Sequence, residues 1–287
     1  MLVVSLAFTL AALTHGKTRH RVAAPSNDQI YESSYRNDTV EIFDSRGVFS
    51  GLLAKLAQPT GMAFDASGNL FVASNQRPNF SITKFATDGS HSTFADATLL
   101  NAPHGLAFDP AGNLFVANSA GDTIVKFTPE GVGTIFADFD DGLVTPIAIA
   151  FDAAGNLYVT NADGGGPPTD GRVLKFTPDG VGSVFNGRGF DSAYGLAFDK
   201  DGNLYVSNFD SSVIEKFAAD GTDLGVFASN GCNHPLGIMF DRNGSLYVAN
   251  QGNATIERYS RNGTDLGAFA TTRGGPHFLV LLQVDAR

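Results

Sequence analysis

Apolar and polar positions along this chain alternate in short blocks that end in turn-forming residues. Residues 105–108, Gly-Leu-Ala-Phe, form one block, and residues 109–112 carry the Asp, Pro and Gly preferences of a type I turn. Residues 113–118 form a second block that is apolar and aromatic throughout, as in a strand covered on both faces. The pattern predicts a hairpin of two strands.

A second hairpin follows the first. Residues 123–127, 172–176 and 213–217 alternate between apolar and polar side chains, which is typical of a strand with one face toward a core. Each is followed by a turn with glycine at its fourth position and by a short fourth strand, such as residues 133–137. The repeating unit is therefore predicted to contain four antiparallel strands.

This unit recurs at a nearly constant interval. The motif Phe-Asp-x-x-Gly-[Asn/Ser]-Leu-[Phe/Tyr]-Val begins at Phe64, Phe108, Phe151, Phe198 and Phe240, with spacings of 44, 43, 47 and 42 residues. Four-stranded units repeated every ~40–45 residues are the signature of a β-propeller. We predict an all-β protein, a six-bladed β-propeller over residues 24–287, preceded by a leader over residues 1–23.

The two ends of the chain supply complementary parts of one blade. Residues 30–34, 39–43, 44–47 and 48–49 match the second strand, the third strand, the turn and the fourth strand. Residues 276–281 match only the first strand. The last blade is therefore predicted to be shared between both termini, which removes exposed sheet edges from the ring.

Charge and cysteine content exclude several classes of function. The formal net charge is −10 and the pI is near 4.9, so no general attraction to nucleic acid or anionic lipid is expected. The single cysteine, Cys232, excludes an internal disulfide framework and any cysteine-rich metal site. We expect a monomer whose partner is a protein or a small polar ligand.

The only long apolar run lies at the N-terminus. Residues 1–13 are too few to span a bilayer but match the core of a signal peptide. No lysine or arginine precedes the run, so a plain leader is the alternative interpretation. We expect an extracytoplasmic protein, periplasmic or secreted, with no transmembrane segment beyond this signal peptide.

Candidate chemistry lies at one end of the ring. The Asp-x-x-Gly turns are expected at one end, called here the turn end. The inner strands begin and the second strands finish at the opposite end, called here the channel mouth. The inner-strand positions there are Thr60, His104, Ile147, Tyr194, Leu236 and His277. The second-strand positions are Ser34, Ser74, Asn118, Asn161, Asn208 and Asn250.

The asparagine amides allow two interpretations. They could bind a polar ligand, a cation or water, because an amide both donates and accepts hydrogen bonds. Asparagine also caps strand ends by bonding to backbone, and its recurrence in four blades favours this structural role. Acidic residues in the mouth loops, among them Asp138, Asp140, Asp141 and Asp163, could hold Ca²⁺ or could be solvated surface charge. The predicted binding residues are Thr60, His104, Asn118, Asn161, Asp163, Tyr194, Asn208, Asn250 and His277.

His104 and His277 are the candidates for catalysis, because the repeat itself does not require histidine. Imidazole is a common metal ligand and an acid or base near neutral pH. The two histidines belong to blades that are not neighbours, which weakens a shared catalytic role. His234, which precedes Pro235, is expected to be a loop residue.

The blade motifs, which include Pro103-His104-Gly105-Leu106, resemble those of NHL-repeat propellers and of virginiamycin B lyase-like and gluconolactonase/strictosidine synthase-like proteins. The resemblance covers about residues 28–287. It implies a six-bladed fold and, as one activity, a metal-dependent lyase or lactone hydrolase that uses a divalent cation, Ca²⁺ or Mg²⁺. The carboxylate that lyase-like relatives carry at the end of a second strand is replaced here by Asn or Ser in every blade.

Two functions follow from these observations. The first is an exported binding scaffold that holds a protein or polar ligand at the channel mouth. The alternative is the metal-dependent enzyme implied by the resemblance, with His104 or His277 as ligand or base. A fold of this kind carries many functions, so the site has to decide between them.

Overall fold

A computed structural model describes residues 28–162, 171–186, 190 and 192–283. Within these ranges there is no α-helix, and the strands form six sheets of four antiparallel strands each. The leader over residues 1–23 lies outside the described residues. None of the described segments forms a helix that could cross a bilayer.

Blades 1 to 3 occupy the first half of the ring. Blade 1 contains β1 (Gln29–Ser34), β2 (Thr39–Phe43) and β3 (Phe49–Lys55); blade 2 contains β4 (Pro59–Phe64), β5 (Leu70–Ser74), β6 (Ser81–Phe85) and β7 (His91–Ala95); blade 3 contains β8 (Pro103–Phe108), β9 (Leu114–Asn118), β10 (Thr123–Phe127) and β11 (Gly133–Ala137).

The second half repeats this arrangement after a 3-10 helix at Phe139–Asp141. Blade 4 contains β12 (Pro146–Phe151), β13 (Leu157–Asn161), β14 (Arg172–Phe176) and β15 (Gly182–Val184); blade 5 contains β16 (Ala193–Phe198), β17 (Leu204–Asn208), β18 (Val213–Phe217) and β19 (Asp223–Ala228); blade 6 contains β20 (Pro235–Phe240), β21 (Leu246–Asn250), β22 (Thr255–Tyr259) and β23 (Asp265–Thr271).

The last strand, β24 (Phe278–Leu282), completes blade 1. Its strand order is β24-β1-β2-β3, with Phe278 opposite Ser33 and Leu282 opposite Gln29. The predicted closure by both termini is thereby confirmed, as are the all-β class and the six blades. Blade 1 departs from the prediction in one respect, because its fourth strand has seven residues instead of two.

The aromatic residue of each motif joins neighbouring blades. Phe115 in β9 packs edge-on against Phe136 of its own blade and Phe151 of the next, with ring centroids 5.0 Å apart in both pairs. Edge-to-face pairs at this distance add to the energy of apolar burial. Equivalent triplets are centred on Phe71, Tyr158 and Tyr205. The core is therefore divided among the interfaces between blades.

The polar residues of each motif hold the turn end together. The carboxylate of Asp109 accepts hydrogen bonds from the backbone N and the side-chain Nδ2 of Asn113, at 2.8 and 2.7 Å. The Nζ atom of Lys126 lies 3.9 Å from the same carboxylate and 5.3 Å from the ring centroid of Phe115. Blades 2, 4 and 5 repeat this set of contacts. The motif is therefore explained by folding.

The inner strands approach one another closely around the channel. A Cβ atom on Gly61 would lie 1.9 Å from the carbonyl oxygen of His104, and one on Gly105 would lie 2.6 Å from that of Ile147. Glycine is required at these positions because any side chain would collide with the backbone of the next blade. The residues that precede these glycines line the channel mouth.

Candidate functional site

Three of the six inner-strand positions at the channel mouth have structural roles. The Oγ1 atom of Thr60 is buried and donates a hydrogen bond to the carbonyl oxygen of Pro103 at 2.7 Å, which ties blade 2 to blade 3. Ile147 and Leu236 are buried apolar residues. Thr60, predicted to bind a ligand, therefore has its hydroxyl engaged between strands.

The other three positions form a cluster of polar aromatic rings, called here the aromatic plug: His104, Tyr194 and His277. The ring centroid of His277 lies 5.4 Å from that of Tyr194 and 5.7 Å from that of His104, and the third distance is 6.4 Å. The three residues come from blades 3, 5 and 1. Alternate blades therefore converge on the channel mouth, and the separation of their blades does not keep His104 and His277 apart.

One nitrogen of each imidazole forms a hydrogen bond. The Tyr194 hydroxyl lies 2.5 Å from Nε2 of His277, and Nδ2 of Asn75 lies 3.1 Å from Nε2 of His104. An amide nitrogen only donates, so we assign Nε2 of His104 as acceptor and the hydrogen to Nδ1. A phenol hydroxyl both donates and accepts, so Tyr194 can pair with either tautomer of His277. Both Nδ1 atoms are buried and have no hydrogen-bond partner among the described residues.

Burial controls the charge of the plug. Desolvation lowers the pKa of His104 to about 4, and desolvation together with the neighbouring His104 lowers the pKa of His277 well below its usual value. Burial and the nearby Tyr35 raise the pKa of Tyr194. All three groups are therefore neutral at neutral pH.

The ring of asparagines acts on the mouth loops. The Nδ2 atom of Asn118 donates to the carbonyl oxygen of Leu99 at 2.8 Å, and its Oδ1 atom accepts from the backbone N of Asn101. Asn161 and Asn250 hold the equivalent loops through Gly142, Val144, Gly231 and Asn233. These contacts match the structural interpretation of the recurrent asparagine.

Asn208 and the acidic loops complete the set of predicted binding residues. The Oδ1 atom of Asn208 is buried without a partner among the described residues, and Asp163 lies outside them. Asp138 and Asp141 form the capping box of the 3-10 helix, so their side chains are engaged with backbone. In the described part of the chain, no three His, Cys, Asp or Glu side chains come together as a metal site.

Sequence reasoning missed the residues around the plug. Tyr35 stacks at a tilt on His277 with centroids 5.5 Å apart, Phe209 contacts the exposed His234 at 4.8 Å, and Asn75 holds His104. Tyr35, Asn75 and Phe209 each follow the last residue of a second strand. The signal was available in the sequence, because the residue at this position is different in all six blades although the strand before it is repeated. His234 lies in a loop, as predicted, with φ of 48°.

Comparison with solved structures shows which known folds this chain is similar to. A chain from a structure of the nidogen/laminin complex has a TM-score of 0.77 and 18% identity, with 88% of this chain and 98% of that chain covered. A gluconolactonase from Xanthomonas campestris has a TM-score of 0.67 and 20% identity, with 88% and 89% covered. This chain has the fold of NHL-type and gluconolactonase-like six-bladed propellers. No protein-family model and no curated protein matches the sequence.

The resemblance stated from the blade motifs is therefore confirmed for the fold. At 18% and 20% identity the solved structures give no residue roles. They include both a complex between proteins and an enzyme, so the function depends on the chemistry of the channel mouth.

Proposed function

We propose that this protein is an exported binding scaffold that holds a partner protein on the face around the aromatic plug. The observation that carries the proposal is the convergence of His104, Tyr194 and His277 at the channel mouth, where their ring centroids lie within 6.4 Å of one another. Three neighbouring rings at the mouth offer a surface for a large partner. The neutral rings and their hydrogen-bonding tips are the kind of residue that is enriched in protein interfaces.

The surroundings of the plug support a protein partner. Tyr35, Phe209 and His234 add aromatic surface beside it, and Phe139 projects from the mouth loops with 65% of its surface exposed. These side chains stand on a ring of six sheets, so little conformational entropy is lost on binding. The formal charge of −10 favours a basic partner.

A photo-cross-linking experiment tests this assignment. A benzophenone amino acid is placed at Tyr35 or Phe209 on the mouth face. The control position is Val181, which directly precedes the outer strand β15 and is 64% exposed. We expect a discrete protein adduct from the two mouth positions in an extract of the producing organism. An adduct from Val181 alone, or adducts of equal intensity at all three positions, would contradict the proposal.

The alternative is the metal-dependent lyase or lactone hydrolase implied by the blade motifs. The gluconolactonase comparison favours it, but the donor atoms of the plug do not fit a metal. The Nε2 atoms of His104 and His277 already face Asn75 and Tyr194, and among the described residues no carboxylate forms an ion pair with either ring. Hydrolysis of gluconolactone with added Ca²⁺ or Mg²⁺ tests this function. Turnover that is lost in His104→Leu would establish the enzyme in place of the scaffold.

A further inference from the structure

Blade 1 differs from the other five blades at one buried position of its second strand. Five blades carry valine there, at Val72, Val116, Val159, Val206 and Val248, whereas blade 1 carries Glu32. Glu32 is 0% exposed, and the residue directly opposite it in β2 is Glu41, which is 1% exposed. Two carboxyl groups therefore face each other inside the blade that closes the ring.

The neighbouring cross-strand pair adds two hydroxyl groups. Ser34 lies opposite Thr39, and the β1–β2 register has no bulge. Residues two apart in a strand share a face, so Glu32, Ser34, Thr39 and Glu41 all project from the same side of this hairpin. Ser34 is 0% exposed and Thr39 is 9% exposed. The four side chains bring six oxygen atoms together in the interior.

By distance and angle, none of these six oxygens makes a hydrogen bond to a described residue, although the backbones of His277 and Arg273 lie near enough to Glu32 and Glu41 to affect the pKa of each carboxyl. Native proteins leave few buried polar atoms unpaired, because each one costs free energy comparable to a lost hydrogen bond. Six such atoms on adjacent residues therefore indicate a group that the described residues do not supply. The hydroxyls of Ser34 and Thr39 point to this independently of the carboxylates.

Equivalent positions in blade 6 show how the chain satisfies such atoms elsewhere. There, Asn250 replaces the serine and its Nδ2 atom donates to Thr255 and to the carbonyl oxygen of Gly231. Thr255 in turn lies 3.5 Å from Glu257, and the position opposite Glu257 is Val248. Blade 1 has lost the amide and gained a second carboxylate.

Among the described residues, one cation, Arg273, lies at the edge of this cluster. The Nε atom of Arg273 is 3.9 Å from Oε1 of Glu41, but the arginine side chain is 61% exposed and its guanidinium lies over the ring of Phe49 at 4.3 Å. Burial and the neighbouring Glu41 raise the pKa of Glu32, and burial raises that of Glu41. The backbones of His277 and Arg273 offset these effects in part. Arg273 alone does not neutralise two buried carboxylates.

We propose that Glu32, Ser34, Thr39 and Glu41 form a buried Ca²⁺ site in the blade that closes the propeller. Ca²⁺ takes six to eight oxygen ligands in flexible geometry, and two carboxylates cancel its charge. The site joins β1 to β2 next to the strand that the C-terminus contributes, so bound Ca²⁺ stabilises the closed ring by binding only the folded chain. This site lies beside the aromatic plug, since the backbone of His277 acts on Glu32, but it uses other side chains and does not depend on the proposed partner.

Calorimetric titration of chelator-treated full-length protein with CaCl2 tests the site. We expect about one equivalent of Ca²⁺ to bind and the melting temperature to rise by roughly 5 °C at a hundredfold excess over Kd. Glu32→Val and Glu41→Val are expected to abolish both effects. The control is Glu130→Gln, at an exposed turn glutamate, which is expected to bind Ca²⁺ as the parent does.

The valine variants also separate loss of the site from loss of the fold. Glu32→Val restores the residue of the other five blades, so it is expected to melt at or above the temperature of the metal-free parent. Absence of Ca²⁺ binding at millimolar concentration, or binding that persists in both valine variants, would overturn the proposal. If the melting temperature of the parent protein falls as the pH rises but does not change with Ca²⁺, the two carboxyl groups share a proton and the proposal is wrong.

Discussion

The two ends of the propeller differ in whether their polar side chains have hydrogen-bond partners. At the turn end, the carboxylate of Asp109 is bonded to Asn113 and lies near Lys126, and other blades repeat the arrangement. Toward the channel mouth, His104 and His277 each bury a ring nitrogen without a partner among the described residues. The contrast is that the turn motif satisfies its own polar groups, whereas the histidines that the repeat does not require each keep a buried nitrogen without a partner among the described residues.

Removal of β24 has the largest expected effect on this arrangement. A chain that stops after Gly275 loses the inner strand of blade 1 and exposes the edge of β1, so the ring opens. We expect loss of the cooperative thermal transition and aggregation on size-exclusion chromatography. The control stops after Gln283 and keeps β24. An unchanged melting temperature of the shorter chain would refute closure by the C-terminus.

Asp109→Ala tests the turn end. It removes two hydrogen bonds to Asn113 and leaves Lys126 without its carboxylate, which costs about 2 kcal/mol of the free energy of unfolding. Urea denaturation measures the loss. Because the turn end is expected to have no role in binding, cross-linking from Tyr35 should be the same as in the parent.

Tyr194→Phe tests the aromatic plug by removing a single oxygen atom. The change removes the hydroxyl that forms a hydrogen bond with Nε2 of His277 and leaves a buried ring nitrogen unpaired, at a cost of about 1–2 kcal/mol. The matched control is Tyr205→Phe, because Tyr205 donates to Asp199 at the turn end and blades 2 and 3 carry phenylalanine at that position. We expect a smaller loss in the control by urea denaturation.

The pH dependence of stability measures the burial of the plug. The pKa of His104 is about 4 in the folded protein and near 6.5 in the unfolded chain. Below about pH 6.5 the unfolded chain therefore binds the proton more readily than the folded protein does. Stability is therefore complete above about pH 6.5 and falls by about 2 kcal/mol between pH 7 and pH 5. His104→Leu, which introduces the residue that blade 6 carries at Leu236, is expected to remove this contribution. A variant with the parent's pH profile would show that His104 is solvated.

The number of blades, the four strands of each blade and the closure of the ring follow from the sequence. Each depends on local turn chemistry and on a motif that occurs five times at a regular spacing. The positions at the channel mouth also follow, because the start of an inner strand and the end of a second strand meet at the same end of every blade. Tyr35, Asn75 and Phe209 did not follow from the repeat, since they lie one residue beyond it. The structural roles of Thr60 and the asparagines could be assigned only from the hydrogen bonds seen in the structure.

The sequence by itself determined that six four-stranded blades close into a ring, since hydrophobic periodicity and glycine turns act over a few residues. Only the tertiary structure decided that His104, Tyr194 and His277 meet, because their distance depends on the radius of the channel and on the glycines that set it. The same holds for Glu32 and Glu41. Each is an ordinary charged residue in the sequence, and only burial in a closed blade makes the pair costly without a ligand.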